Sequence, residues 1–91
     1  NVVAGADGRP VAVRSDRTHL APPDAPGALP AVVRAVEYTG TGFALTLSAD
    51  GADELTALLD EAEYRARAVA PGDRVGLTWA AADARPLAAG G

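Results

Sequence analysis

A chain of 91 residues with a formal net charge of −4 is one small domain that buries a modest fraction of its surface, and its charge disfavours DNA, RNA and anionic lipid surfaces, whose capture relies on Lys and Arg neutralising phosphates. The apolar fraction is 48 %, but 22 of those residues are alanine, which leaves nine Val, nine Leu, Phe43, Trp79, Tyr38 and Tyr64 to fill volume; so thin a core predicts a domain that leans on a second copy or a larger parent. Absence of cysteine removes disulfides and thiolate metal sites, and no apolar run approaches the roughly 20 residues that cross a bilayer.

The first residues lack the pattern of a signal peptide, so the chain is expected to be soluble as it stands. It begins at Asn1 and holds no methionine, as expected of a piece of a longer protein or of a chain that has lost an N-terminal tag. Asn1 to Pro10, with Gly5, Asp7-Gly8 and Pro10, is a turn-rich lead-in, either a linker or the approach to a hairpin. Val11 to Arg14 then alternates, with Val11 and Val13 on one face. Ala21 to Pro30 holds four prolines and Gly27 and predicts an extended loop, because proline lacks the N–H that a helix or a central strand needs.

β-Branched density predicts a strand over Ala31–Tyr38, yet Val33 and Val36 cannot share a face at a period of two; a bulge or bend near Arg34 and Ala35 reconciles them. Gly40 and Gly42 bracket Thr41 in a hairpin signal. Phe43, Leu45 and Leu47 follow on one face, with Ala44, Thr46 and Ser48 on the other, and Asp50-Gly51 closes that strand. Asp53 to Ala70 fits two templates. Leu55, Leu58, Leu59 and Ala62 form a helical stripe, favoured by periodicity and alanine content from Ala52 onward, whereas Leu55, Ala57 and Leu59 form a strand face. Pro71-Gly72 breaks whatever precedes it. Val75, Leu77 and Trp79 then alternate against Arg74, Gly76 and Thr78, and Ala84–Leu87 is a last short strand. Short strands punctuated by turns predict a small barrel or sandwich.

Candidate chemistry is sparse. The only histidine is His19 and the only serines are Ser15 and Ser48, so the Ser15/His19 pair, four apart, has no third group to orient an imidazole and reads as a polar turn. Asp60, Glu61 and Glu63 lack the alternating ligands and central glycine of a calcium loop and read as a solvated helix start. Gly40-Thr41-Gly42 lacks the third glycine and the Lys-Ser/Thr ending of a phosphate cradle. Tyr38, Phe43 and Trp79 could form a stacking platform for single-stranded nucleic acid, but no arginine cluster accompanies them and Phe43 and Trp79 lie on leucine-bearing faces, so a core role is expected; Trp79 is expected to be a core or interface residue.

Three segments in this order and spacing, Val11-Ala12-Val13-Arg14, Val33-Arg34-Ala35-Val36-Glu37-Tyr38-Thr39-Gly40 and Pro71-Gly72-Asp73-Arg74-Val75 with Trp79, resemble the transport-associated OB (TOBE) domain at the C-terminus of ABC-importer ATPase subunits. Ser15 and Asp16 stand where that family carries proline and glutamate, although Arg14 is retained. The resemblance implies a mainly all-β fold, a small five-stranded OB-like barrel with one short helix over 11–88, preceded by a linker over 1–10 from an ATPase region and followed by a frayed tail at 89–91. It favours a strand over Glu54–Leu59 and a helix over Asp60–Ala68. The residues it singles out are Arg14, Val33, Val36, Glu37, Tyr38, Gly40, Pro71, Gly72, Asp73 and Trp79, with Asp73 capping the Pro-Gly turn.

The function it implies is an accessory domain, regulatory or dimer-stabilising, of the ATP-binding subunit of a bacterial ABC importer for polyamines, iron, sugars or related solutes. Such a domain is not catalytic by itself, and ATP and Mg²⁺ belong to the ATPase region. Its implied partners are that region of the same polypeptide, a second copy in a homodimer and the membrane permease subunits, at the cytoplasmic face of the inner membrane. A second reading is a small-ligand sensor that binds oxyanions through backbone amides; a third, single-stranded nucleic-acid binding, is opposed by the net charge.

Overall fold

The computed structural model describes residues 1–4, 10–49 and 52–86. Among them, two antiparallel sheets form. The smaller has the order β1 (Val2–Ala4), β2 (Pro10–Val13), β8 (Ala84–Pro86). The larger runs β3 (His19–Ala21), β7 (Arg74–Thr78), β4 (Leu29–Tyr38), β5 (Gly42–Ala49), β6 (Ala52–Asp60). One helix, α1 (Glu61–Ala66), follows β6, and short 3-10 turns occupy Ser15–Arg17 and Ala81–Asp83.

The mainly all-β class agrees with expectation, but the barrel is not closed and its strands number more than five. Among the described residues no ladder joins β6 to either sheet's free edge. The strands that the sequence did not place, β1 and β3, are three residues long each, too short to show a periodicity. The lead-in takes its hairpin form, with Val2 opposite Ala12 and Val3 opposite Val11. The Asp50-Gly51 turn, Leu87 and the 89–91 tail fall outside the described residues.

Proline punctuation sets the next boundary. The loop between β3 and β4 is shorter than expected because Leu29 and Pro30 already belong to β4, where Pro30 faces Gly76 of β7 before the ladder with β5 begins at Ala31. A Cβ on Gly76 would lie 2.5 Å from the Pro22 carbonyl oxygen and 2.8 Å from the Ala28 Cβ, so the loop folds onto β7 only because that position is bare. Further along, the β4–β5 register passes from Val33↔Leu47 to Ala35↔Thr46 and leaves Arg34 unmatched. That is the expected bulge, and it brings both Val33 and Val36 to the core side.

β5 buries Leu45 and Leu47 completely. Beside it, β6 resolves the two templates in favour of the strand: Leu55, Ala57 and Leu59 are buried, whereas Leu58, which a helical stripe would have covered, is 42 % exposed. The pairing with β5 from Gly42↔Asp60 to Ala49↔Ala52 outweighs alanine's helical preference. The helix starts where that ladder ends, capped by the Asp60 carboxylate, which accepts from Glu63 N at 2.7 Å. It stops at Ala66, two residues earlier than expected. Val75 and Leu77 of β7, together with Val3, Val11 and Val13 of the smaller sheet, complete the core.

Candidate functional site

The open edge of β6 is met by a side chain. Asn1 extends the β1–β2 hairpin, its N donating to Val13 O at 3.0 Å and its O accepting from Val13 N at 2.8 Å. Its carboxamide then does for β6 what a neighbouring strand would do: Oδ1 accepts from Thr56 N at 2.8 Å and Nδ2 donates to Thr56 O at 2.5 Å. Nδ2 also donates to Thr18 Oγ1 at 3.2 Å, and that hydroxyl donates to Arg14 O at 3.0 Å. Thr18 is only 2 % exposed, and these partners satisfy it. The seam between the sheets is therefore held by one amide and one hydroxyl.

Two of the sequence segments meet on the opposite side of β4. Gly72, in the left-handed region at φ +96°, donates from N to Val33 O at 2.7 Å, and Val33 N donates to Asp73 O at 2.9 Å. The Asp73 carboxylate accepts from Ala70 N at 2.8 Å, so the turn opened by Pro71 is fastened both to itself and to β4 beside the bulge. Arg14 is exposed and forks onto Asp16, at 3.0 and 2.8 Å. Gly40 takes φ +92° in the β4–β5 hairpin, and Glu37 stands exposed opposite Ala44. Trp79 lies just beyond β7, half-buried against the core; it is not one of the fully covered side chains.

At the far end of β4, Phe43 stacks on Tyr64 with centroids 3.9 Å apart and meets Tyr38 at 5.2 Å. The Tyr64 hydroxyl donates to Val69 O at 2.7 Å. The Tyr38 hydroxyl lies 3.0 Å from both Glu61 Oε1 and Gly40 O. These contacts hold α1 over the sheet end. Phe43 is thus covered by Tyr64, and Trp79 belongs to the other end of β4, so Tyr38, Phe43 and Trp79 do not assemble a stacking platform.

These joints knit a β-domain together, and all of them except the contacts of Asn1 lie within residues 11–87, which a family model described as the TOBE domain matches. The chain belongs to the TOBE domain family. No curated protein and no solved structure matches it significantly.

In the TOBE domain the candidate nucleophilic and acidic groups serve local contacts. His19 Nδ1 lies 3.1 Å from Glu63 Oε2, turned towards α1, while Ser15 serves the 3-10 turn, its carbonyl accepting from Thr18 N at 3.4 Å. Asp60 caps α1, and Glu61 takes bonds from Tyr38 and Arg65. Among the described residues no three His, Asp or Glu side chains converge as metal ligands. Asn1, Thr18 and Tyr64 were not singled out by sequence; only the aromatic character of Tyr64 hinted at its place.

The hydrogen bond to Glu61, and then that residue's charge, raise the pKa of the Tyr38 phenol above the ordinary 10.0. A raised acidic pKa means that the folded state holds the proton more tightly, so this contact is complete below about pH 10 and is lost as pH rises through the elevated value. Phenolate absorbance during alkaline titration should show Tyr38 ionising late, and Glu61→Gln should move it back towards the ordinary value. An unchanged titration in that variant would remove Glu61 as the cause.

Proposed function

We propose that this TOBE domain is the accessory, non-catalytic part of the ATP-binding subunit of a bacterial ABC importer, acting at the cytoplasmic face of the inner membrane to stabilise or regulate the paired subunits. The observation that carries the reading is the family match over residues 11–87, because TOBE domains are associated with the ATP-binding subunits of ABC transporters. In this reading ATP and Mg²⁺ are held by the ATPase region, and the partners are that region, a second copy of the subunit and the permease subunits. Gly40-Thr41-Gly42 forms a β-hairpin rather than a turn between strand and helix, which suits a domain without a phosphate cradle. Among the described residues Val2, Tyr38 and Leu58 are the large apolar side chains exposed, and they offer surface to a partner.

The direct test is the reading frame upstream of Asn1, where a P-loop and an ABC signature are expected; a start codon immediately before Asn1 would overturn the reading. Calorimetric titration of this chain with Mg-ATP should give no saturable heat, and sedimentation at micromolar concentration should show self-association. Micromolar binding of Mg-ATP would assign the domain a nucleotide role instead.

A further inference from the structure

The outer face of the larger sheet holds a concavity of about 420 Å³ that none of the folding joints explains. Ser48 of β5, Val32 of β4 and Arg74 of β7 stand side by side across three strands. With strands about 4.8 Å apart, the backbones of Ser48 and Arg74 are roughly 10 Å from each other, and Val32 and Pro30 line the floor between them. The bulge delivers the fourth element. As the unmatched residue of β4, Arg34 projects to this same cavity, and its Nε donates to Ser48 Oγ at 2.8 Å.

The donors remaining there are unusual for so acidic a chain. Arg34 spends Nε on Ser48 and, among the described residues, keeps both terminal nitrogens. Ser48, accepting that bond, keeps its own O–H to donate. Arg74 is exposed and makes no ion pair among the described residues. None of the described residues lining the cavity is a carboxylate, and the adjoining Asp73 is turned away to Ala70 N. A second arginine-lined concavity, around Arg14, Arg17 and Arg85, differs on both counts: Asp83 lines it, and Arg14 is already occupied by Asp16.

We propose that the Arg34–Ser48–Arg74 concavity binds a small anion through its acidic oxygens, a phosphate or a carboxylate group bridged between the two guanidinium groups with the serine hydroxyl as a third donor. Guanidinium forks match both oxyanions in a bidentate manner, and charge-assisted bonds of this kind are the stronger class. The site consists of side chains on the outer sheet face, so it is distinct from a backbone-amide oxyanion site, and it does not depend on the importer reading.

The test is a titration of the isotope-labelled chain with inorganic phosphate and, separately, with succinate, at constant ionic strength, followed by amide and arginine Nε–H chemical shifts. Saturable shifts centred on Arg34, Ser48 and Arg74 are expected. Arg34→Gln and Arg74→Gln should each weaken binding about tenfold, Ser48→Ala should weaken it less, and Arg67→Gln, at another exposed arginine, should leave it unchanged. Tighter binding of phosphate would point to a phosphorylated ligand, and tighter binding of succinate to a carboxylic acid. Shifts that never saturate, that chloride reproduces, or that persist in Arg34→Gln and Arg74→Gln folded like the parent would overturn the proposal.

Discussion

Leu45→Ala is expected to cost about 2–5 kcal/mol, enough to unfold much of a population whose total stability at this length is only about 5–14 kcal/mol and whose core is alanine-rich. Leu45 is fully buried at the centre of β5, with Val36 opposite on β4 and Ala57 opposite on β6. Neither neighbour can swing into the vacated space: one is β-branched and stiff at χ1, and the other ends at its Cβ. The cavity therefore stays open, which is the condition for the larger penalties. Urea denaturation should show a much lower midpoint at unchanged slope. Leu58→Ala, on the exposed face of β6, provides the contrast and should change stability by only about 0.5 kcal/mol. Equal midpoints for the two variants would mean that β5 does not pass through the core.

Gly42→Ala is expected to be the most damaging single-methyl addition. A Cβ there would run into the Leu59 carbonyl oxygen and lie 3.2 Å from the Asp60 Cα. Both obstacles are backbone, so no side-chain rotation relieves them. The first rungs of the β5–β6 ladder, Gly42↔Asp60 and Phe43↔Leu59, would have to separate, and with them the contact between Phe43 and Tyr64. Overpacking of this kind costs about 1–3 kcal/mol and sometimes more. Gly27→Ala separates steric conflict from backbone conformation: Gly27 has φ +78° with nothing within 4 Å of the added atom, so only the left-handed penalty of roughly 1 kcal/mol applies. Thermal melting should rank Gly42→Ala well below Gly27→Ala, and the reverse order would place β6 farther from the hairpin.

How much of this was readable in advance follows the physics of each signal. Phe43, Leu45 and Leu47 alternate over a full strand, so β5 could be placed from its pattern alone. The conflict between Val33 and Val36 located the bulge, because a period of two tolerates no exception without an extra residue. By contrast, Leu55 and Leu59 satisfied two periods at once, and only the ladder with β5, set by tertiary pairing, separates them. β1 and β3 were beyond reach of periodicity, being three residues each, and they are the strands that the sequence did not show. The Asn1–Thr56 joint spans 55 positions and has no pattern at all. The pair of arginines on the outer face was hidden similarly. Arg34 reaches that face through the bulge, and Arg74 arrives beside Val32 only because β7 pairs with β4, which is not its neighbour in sequence.

The carboxamide of Asn1 also ties the lifetime of the folded state to a slow chemical reaction. Hydrolysis of that side-chain amide by water releases ammonia and leaves an aspartate, which has no N–H to donate; a carboxylate oxygen would then confront the Thr56 carbonyl in place of the Nδ2 donor. Thr56, at the middle of β6, would lose the side-chain cover that interrupts this edge, and an unpaired edge is a template for strand addition by another molecule. Ageing at a single amide would thus convert a protected seam into a starting point for aggregation, with no change in the hydrophobic core.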